Sequence, residues 1–224
     1  MTLQPSYIRF LLIVALPLLF FSCNPTRKLK EGEHFLVNNY VIDKDTKLEK
    51  KDMESFIKQK PNRKIFGFIR FHLWLHNLVN EQRIAQKQIV QSKKLEKRNA
   101  KRIAKGKKPI TDRRQLIGEW LLEIGEAPVI YDSLLARKSA GQIKLYLNSK
   151  GYFISSVKDS VNLKHNKRAE VYYKVKAAAP YTIKSIDYII PDELVKYYVF
   201  ADTAHNLIIR GNNYDVDILQ KERE

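Results

Sequence analysis

The sequence predicts an α+β fold: a strand, two helices and a β-hairpin form one unit, and a strand and two helices begin a second. Three observations carry this. Apolar residues recur at helical spacing in several windows before residue 150. After Lys150-Gly151 the period changes to two, most cleanly in RAEVYYKV, residues 168–175. The order then starts again at Tyr181.

The elements follow in turn. His34–Ile42, HFLVNNYVI, is apolar at both ends and reads as a strand. Leu48–Lys60 reads as a helix with Met53, Phe56 and Ile57 on one face, and Pro61 stops it. Phe66–Val79, FGFIRFHLWLHNLV, is dense in apolar residues. Phe68, Phe71, Leu75 and Leu78 fall near helical spacing, and Trp74 and Val79 widen the stripe. Core packing is its expected role, with a membrane-facing or partner-facing surface as the alternative. Ile117–Ile124 resumes an apolar pattern, and Gly125–Pro128 is a turn. Asp132 or Ser133 caps a helix to about Ser149, with Leu134, Leu135, Ile143, Leu145, Tyr146 and Leu147 available for burial.

Lys150-Gly151 ends that helix. Ile154–Leu163 and Arg168–Val175 form a hairpin across His165-Asn166-Lys167. Tyr181–Ile190 alternates as a strand, Asp192–Phe200 reads as a helix, and Arg210–Asn213 as a turn. Asp215–Glu224 begins a further helix with Val216 and Leu219 inward. The second unit stops before its own hairpin. A lone strand under a helix is marginally stable, so the chain reads as a piece of a longer protein.

Charge is unevenly spread. Lys and Arg number 41 against 24 acids, a net charge of +17. Between Arg83 and Arg114 stand 13 of those cations and two acids, Glu96 and Asp112, a net of +11. The run KKLEKRNAKRIAKGKK, residues 93–108, reads as a mainly helical, solvated excursion within an insertion at about 81–115. Its few apolar residues (Ile84, Ile89, Val90, Leu95, Ile103) make no clean stripe, and Gly106 and Pro109 break it. Lys93, Lys94, Lys97, Arg98, Lys101, Arg102, Lys105, Lys107 and Lys108 are candidate contacts for anionic lipid, each worth ~1 kcal/mol beside an anionic membrane. A merely solvated insertion is the plainer alternative.

The N-terminus sets the compartment. Phe10–Phe21, FLLIVALPLLFF, carries no charge and follows Arg9. A spanning helix needs ~20 apolar residues. This run is shorter and fits a signal-peptide core. Ser22, a small residue, precedes Cys23, the single cysteine of the chain. One cysteine permits no internal disulfide. Residues 1–22 read as a signal peptide and 23–33 as a linker. His72 and His76 sit four apart, but no HExxH motif and no third ligand accompany them, so no metal is expected. The catalytic patterns GxSxG and the phosphate-binding Walker loop are likewise missing from the sequence, so neither an enzyme nor a cofactor is expected.

The small-residue-then-Cys ending resembles a bacterial lipoprotein signal, which implies fatty acylation of Cys23. LYLNSKGYFISSVKDSV, residues 145–161, resembles a POTRA domain, in which Tyr146 through Gly151-Tyr152-Phe153 would end a helix before a strand. YTIKSIDYIIPDE and GNNYDVDILQKER resemble the start of a second one. KPNRKIFGFIRFHLWLHNLVN (60–80) and IGEAPVIYDSLL (124–135) resemble the lipoprotein branch of the BamA/TamA superfamily in Bacteroidetes, TamL.

The resemblance covers nearly all of the chain after the signal. It implies a POTRA-like domain over 34–177 and an incomplete one over 180–224. It also implies a place at the outer membrane with the domains in the periplasm, and a role in outer-membrane protein assembly and translocation. Expected partners are unfolded outer-membrane protein clients, which would add to the strands at 154–163 and 169–176 and to the first strand. A TamB-like protein and a C-terminal β-barrel in cis, which this sequence does not contain, are expected too. Nucleic acid is not expected in that compartment. The competing expectation is a free-standing envelope lipoprotein that binds an anionic polymer or lipid headgroups through the basic arm.

The anchor is directly testable. Mass spectrometry of the N-terminal peptide of the membrane-extracted protein should find fatty acyl groups on Cys23, and Cys23→Ser should abolish them. An unmodified cysteine would overturn the anchor.

Overall fold

The computed structural model describes residues 25–201 and 206–223. The signal peptide expected at 1–22 and the acylation site Cys23 lie outside the described residues. Among those described, the fold is mixed α+β. The order is β1 (Phe35–Ile42), α1 (Lys50–Ser55), α2 (Phe71–Leu78), α3 (Glu81–Ile103), α4 (Ile117–Ile124), α5 (Ser133–Ser149), β2 (Ser155–Lys164), β3 (Arg168–Ala177), α6 (Glu193–Ala201) and α7 (Val216–Lys221). The three strands form one sheet in the order β1-β3-β2.

The chain divides into two compact units. One takes the chain up to Val37, Pro61–Ile130 and His165–Arg168. The other takes Asn38–Lys60, Tyr131–Lys164 and Ala169–Glu224.

The second unit holds most of the sheet. Ala169, Val171, Tyr173 and Val175 of β3 are buried at alternate positions, as a strand with one covered face requires. α5 packs on β2, and α1 packs on α5. Met53, Ala136, Ser139, Ala140, Ile143 and Leu147 complete this core. A fully buried Leu, Ile or Met contributes about 1.5–3 kcal/mol. Ser139 is buried without penalty. Its Oγ donates to the Leu135 carbonyl (2.7 Å) and accepts the Lys58 N–H (3.0 Å). On the opposite face of β3, Glu170 is held by Lys164 (2.7 Å) and Tyr172 (2.9 Å), and Tyr172 stacks on Tyr40.

Both ends of α5 follow from its sequence. The Asp132 carboxylate accepts the N–H groups of Leu134 (2.7 Å) and Leu135 (3.3 Å). At the other end Gly151 takes φ +86°. Its N–H bonds to the Asn148 carbonyl (3.1 Å), and the Tyr152 N–H bonds to the Leu147 carbonyl (2.9 Å). That pair of bonds is the Schellman arrangement.

The first unit has its own interior. Leu29, Phe35 and Leu73 form its cluster, with Val37 packed against them. Asn62 is a buried polar hub. Its Nδ2 donates to the Ala127 carbonyl (2.8 Å) and its Oδ1 accepts the Val129 N–H (3.0 Å). Thr26 and Leu29, expected in a linker, are part of this interior. Lys28 donates to the carbonyls of His76 (3.0 Å) and Val79 (2.7 Å), which satisfies groups left open at the end of α2.

Several expectations are corrected. The helix expected over 48–60 stops at Ser55, because the groups beyond it find other partners. Lys58 bonds to Ser139, and the Gln59 carbonyl accepts the Asn39 side chain. The helix expected within 66–79 begins at Phe71. Ile65 and Ile69 close a tight turn before it, so Phe68 is exposed; Leu78 at the far end of α2 is exposed as well, and Leu73, Leu75 and Val79 are the buried residues. Leu134 and Leu145 of α5 are exposed too. The strand expected at 181–190 does not form. Backbone bonds from Gly151 and from Gly211–Tyr214 reach only its first residues, Tyr181–Ile183, among the described residues, and a strand without a longer neighbour cannot satisfy its backbone.

Gly151→Ala should be disruptive twice over. A Cβ there would stand 2.8 Å from the Tyr214 carbonyl, and the left-handed φ disfavours alanine by roughly 1–2 kcal/mol. We expect a loss of about 2 kcal/mol or more in denaturant unfolding.

Candidate functional site

The basic excursion is a single helix, α3, with a return segment folded against it. Asn80 caps its start, accepting the Arg83 N–H at 3.1 Å. Gly106, at φ +65°, ends it, with the Lys107 N–H on the Arg102 carbonyl (2.9 Å). One face is covered. Ile84, Gln88, Gln91, Leu95, Asn99 and Arg102 are all more buried than their neighbours and recur at three- and four-residue steps. The apolar residues make no clean stripe, as expected, since Ile89, Val90 and Ile103 are exposed. A stripe exists, but it is largely polar.

Its contacts are side-chain hydrogen bonds. Asn99 bonds twice to Ile110, through Nδ2 to the carbonyl (2.8 Å) and Oδ1 to the N–H (2.9 Å). Arg102 Nε donates to the Lys108 carbonyl (2.9 Å). Nearer the base, Glu119 accepts from Gln88, from Arg113 (3.0 Å for Nη1) and from the Leu116 N–H (2.8 Å). These bonds, Arg113 first, hold the Glu119 carboxyl down at about 2.

The exposed flank carries the charge. At 3.6 residues per turn Arg83, Lys87, Lys94, Lys97, Arg98 and Lys101 fall within a sector of about 100°. Arg83, Lys87 and Lys94 border an open groove of about 610 Å³ whose apolar part is Val90 and Leu116. Of the candidate cations, Lys94, Lys97, Arg98 and Lys101 share this flank. Lys93 stands to one side. Arg102 lies on the covered stripe, and Lys105, Lys107 and Lys108 follow the helix end. Among the described residues none of these nine makes an ion pair. Arg83 and Lys87 were missed. Their spacing to Lys94 and Lys101 was the available signal, hidden by the denser run beyond residue 93.

The histidine pair is structural. His72 Nδ1 donates to the Ile124 carbonyl (2.9 Å), and His76 lies 3.7 Å from Glu81. No group of metal-ligating side chains gathers among the described residues.

A second feature is the sheet edge. β3 is central, so β1 and β2 are both edges. The start of β1 is taken up by Val129 and Ile130, with the Leu36 N–H on the Val129 carbonyl (2.8 Å). Among the described residues no strand meets the outer side of β2.

These features define a mixed α+β protein with a charged helical excursion. No family model, no curated protein and no solved structure matches the chain. No helix of the described residues is long and apolar enough to cross a membrane.

The clamp on α3 has a pH dependence with a definite sign. Glu119 is held below its ordinary 4.5, so its contribution is complete above pH 4.5 and is lost as pH falls toward about 2. Hydrogen exchange in α3 should accelerate over that interval, and Glu119→Gln should bring the fast exchange to neutral pH.

Proposed function

We propose that this chain is the lipid-anchored, periplasm-facing POTRA region of an outer-membrane protein assembly lipoprotein, and that it takes up extended chains by strand addition at β2. The observation that carries the reading is the open outer edge of β2 in a sheet of order β1-β3-β2. The element order supports it: β1, then α1 and α5 within the same unit, then the β2–β3 hairpin, with α2 to α4 between the two helices as an elaboration. The Gly151 turn that launches β2 supports it as well.

The physics suits a handler of many clients. An incoming strand pairs with backbone N–H and C=O groups, each bond worth about 0.5–1.5 kcal/mol net, and the sequence of the client matters little. β2 also carries Lys158, Asp159 and Lys164, and charges on an edge discourage pairing between copies of the same protein. Cys23 supplies the attachment to the outer membrane. A TamB-like partner and a barrel in cis complete the machine in this reading.

A second reading rests on the one-sided flank of α3. There the protein is an envelope lipoprotein that binds an anionic polymer or headgroups, and strand addition has no part in it.

Proline scanning separates the two. Single prolines through Ser156–Asn162 should alternate between positions that unfold the sheet and positions that leave it intact, because successive N–H groups point to opposite sides of the strand. The tolerated prolines should abolish binding of an unfolded outer-membrane protein segment. Undiminished binding by those variants would overturn strand addition. Charge reversal of Lys94, Lys97, Arg98 and Lys101 should leave client binding intact if the first reading holds.

A further inference from the structure

The turn before α2 places two aromatic rings where folding alone gives no reason for them. Ile65 and Ile69 close it with reciprocal backbone bonds of 2.7 and 3.1 Å. Between them Phe66 takes φ +52° and Gly67 φ +79°. Left-handed φ at two successive turn positions favours Asn, Asp or Gly, and a bulky residue there is an outlier. Yet Phe66 is 84% exposed and Phe68 74% exposed. The strained position thus holds a ring that contributes nothing to the interior.

The stem beneath the tip is fixed. Arg63 donates to Glu126 through its backbone N–H (3.1 Å) and its side chain. Arg70 donates to the Val37 carbonyl (2.9 Å) and lies over the Phe35 ring (5.2 Å). The tip is therefore a small rigid projection with two phenyl rings at its end. Its surroundings are basic. Arg63, Lys64 and Arg70 stand beside the rings; Glu126 pairs with Arg63 and Arg70 turns inward, but residues 55–80 themselves contain no acid, so the segment stays net positive.

We propose that Phe66 and Phe68 insert into the interface of an anionic phospholipid bilayer, drawn there by the net positive charge of this segment and of α3 in the same unit. Exposed aromatic rings beside Lys and Arg have the chemistry of an interfacial anchor. A bilayer is favoured over an apolar groove on another protein by charge, since α3 of the same unit adds its net positive excess. It is favoured also by proximity, which rests on the lipid-anchored reading. Leu29 is buried in this unit, and six residues reach at most ~20 Å from an acylated Cys23. One acyl-bearing residue and one inserted turn give the two signals that stable membrane attachment takes.

The test uses the full acylated chain carrying Phe68→Trp. It is reconstituted in phosphatidylethanolamine–phosphatidylglycerol vesicles whose acyl chains are brominated. The introduced indole should emit at shorter wavelength and be quenched about threefold more than the parent's own tryptophans, and less so in neutral phosphatidylcholine vesicles. Emission as in water, with no added quenching, overturns the proposal. So does quenching-free burial that needs a lipid-free protein extract, which would place a protein at the tip. Phe66→Gly with Phe68→Ser relieves the left-handed strain and keeps the fold, and it should remove vesicle protection of the Ile65–Ile69 amides from hydrogen exchange. Strand addition at β2 is measured apart from this, because that double variant should still bind clients, so either reading can fail alone.

Discussion

The reversal at Gly151 is the constraint on which the second unit depends. A left-handed residue at the end of α5 turns the chain back, so that Tyr152 bonds to Leu147 and β2 can start beside the helix it packs on. The Tyr152 hydroxyl then receives the Lys47 N–H (3.4 Å), which fixes the loop between β1 and α1. The Gly151 carbonyl accepts the Tyr181 N–H (2.9 Å), and the neighbouring Lys150 reaches Asp215 (2.9 Å) and Asp217 (2.7 Å). One backbone geometry thus orients the hairpin and docks the segment at 181–217. No side chain could replace it, because the Tyr214 carbonyl occupies the space.

The first unit is organised by polar groups instead. Asn62, Glu126 and Lys28 each satisfy backbone groups that helix ends and loops leave open. Buried amides hydrogen-bonded on both sides are specific, since any shift in register orphans a donor. This is how a segment rich in exposed aromatics keeps a defined shape on a small apolar cluster.

Legibility in the sequence followed the kind of interaction. α5 was readable at both ends, because Asp132 and Gly151 act locally. The hairpin was readable because β3 alternates, and Asn166 and Lys167 take the left-handed φ that its turn signal implies. The limits of α1 were not, since Asn39 and Ser139 act from far along the chain. The turn at 65–69 was hidden by its apolar density, which imitates a helical stripe. The segment 181–190 alternates as a strand should, and only a neighbouring strand could have made it one. At the candidate site the charge of α3 was plain, but its covered face was not. Gln88, Gln91 and Asn99 pack through amide hydrogen bonds and leave no mark on a hydrophobic pattern.

That polar face changes what it means for the arm to open. A helix that leaves an apolar groove exposes surface water must reorganise around, with a large heat-capacity change and a steep response to denaturant. α3 is fastened mostly by hydrogen bonds that water can replace one for one. Beyond Ile84 and Leu95, its release would expose little apolar area. The hold on the arm therefore answers to the protonation of Glu119, while the stability of the body is set by temperature and packing.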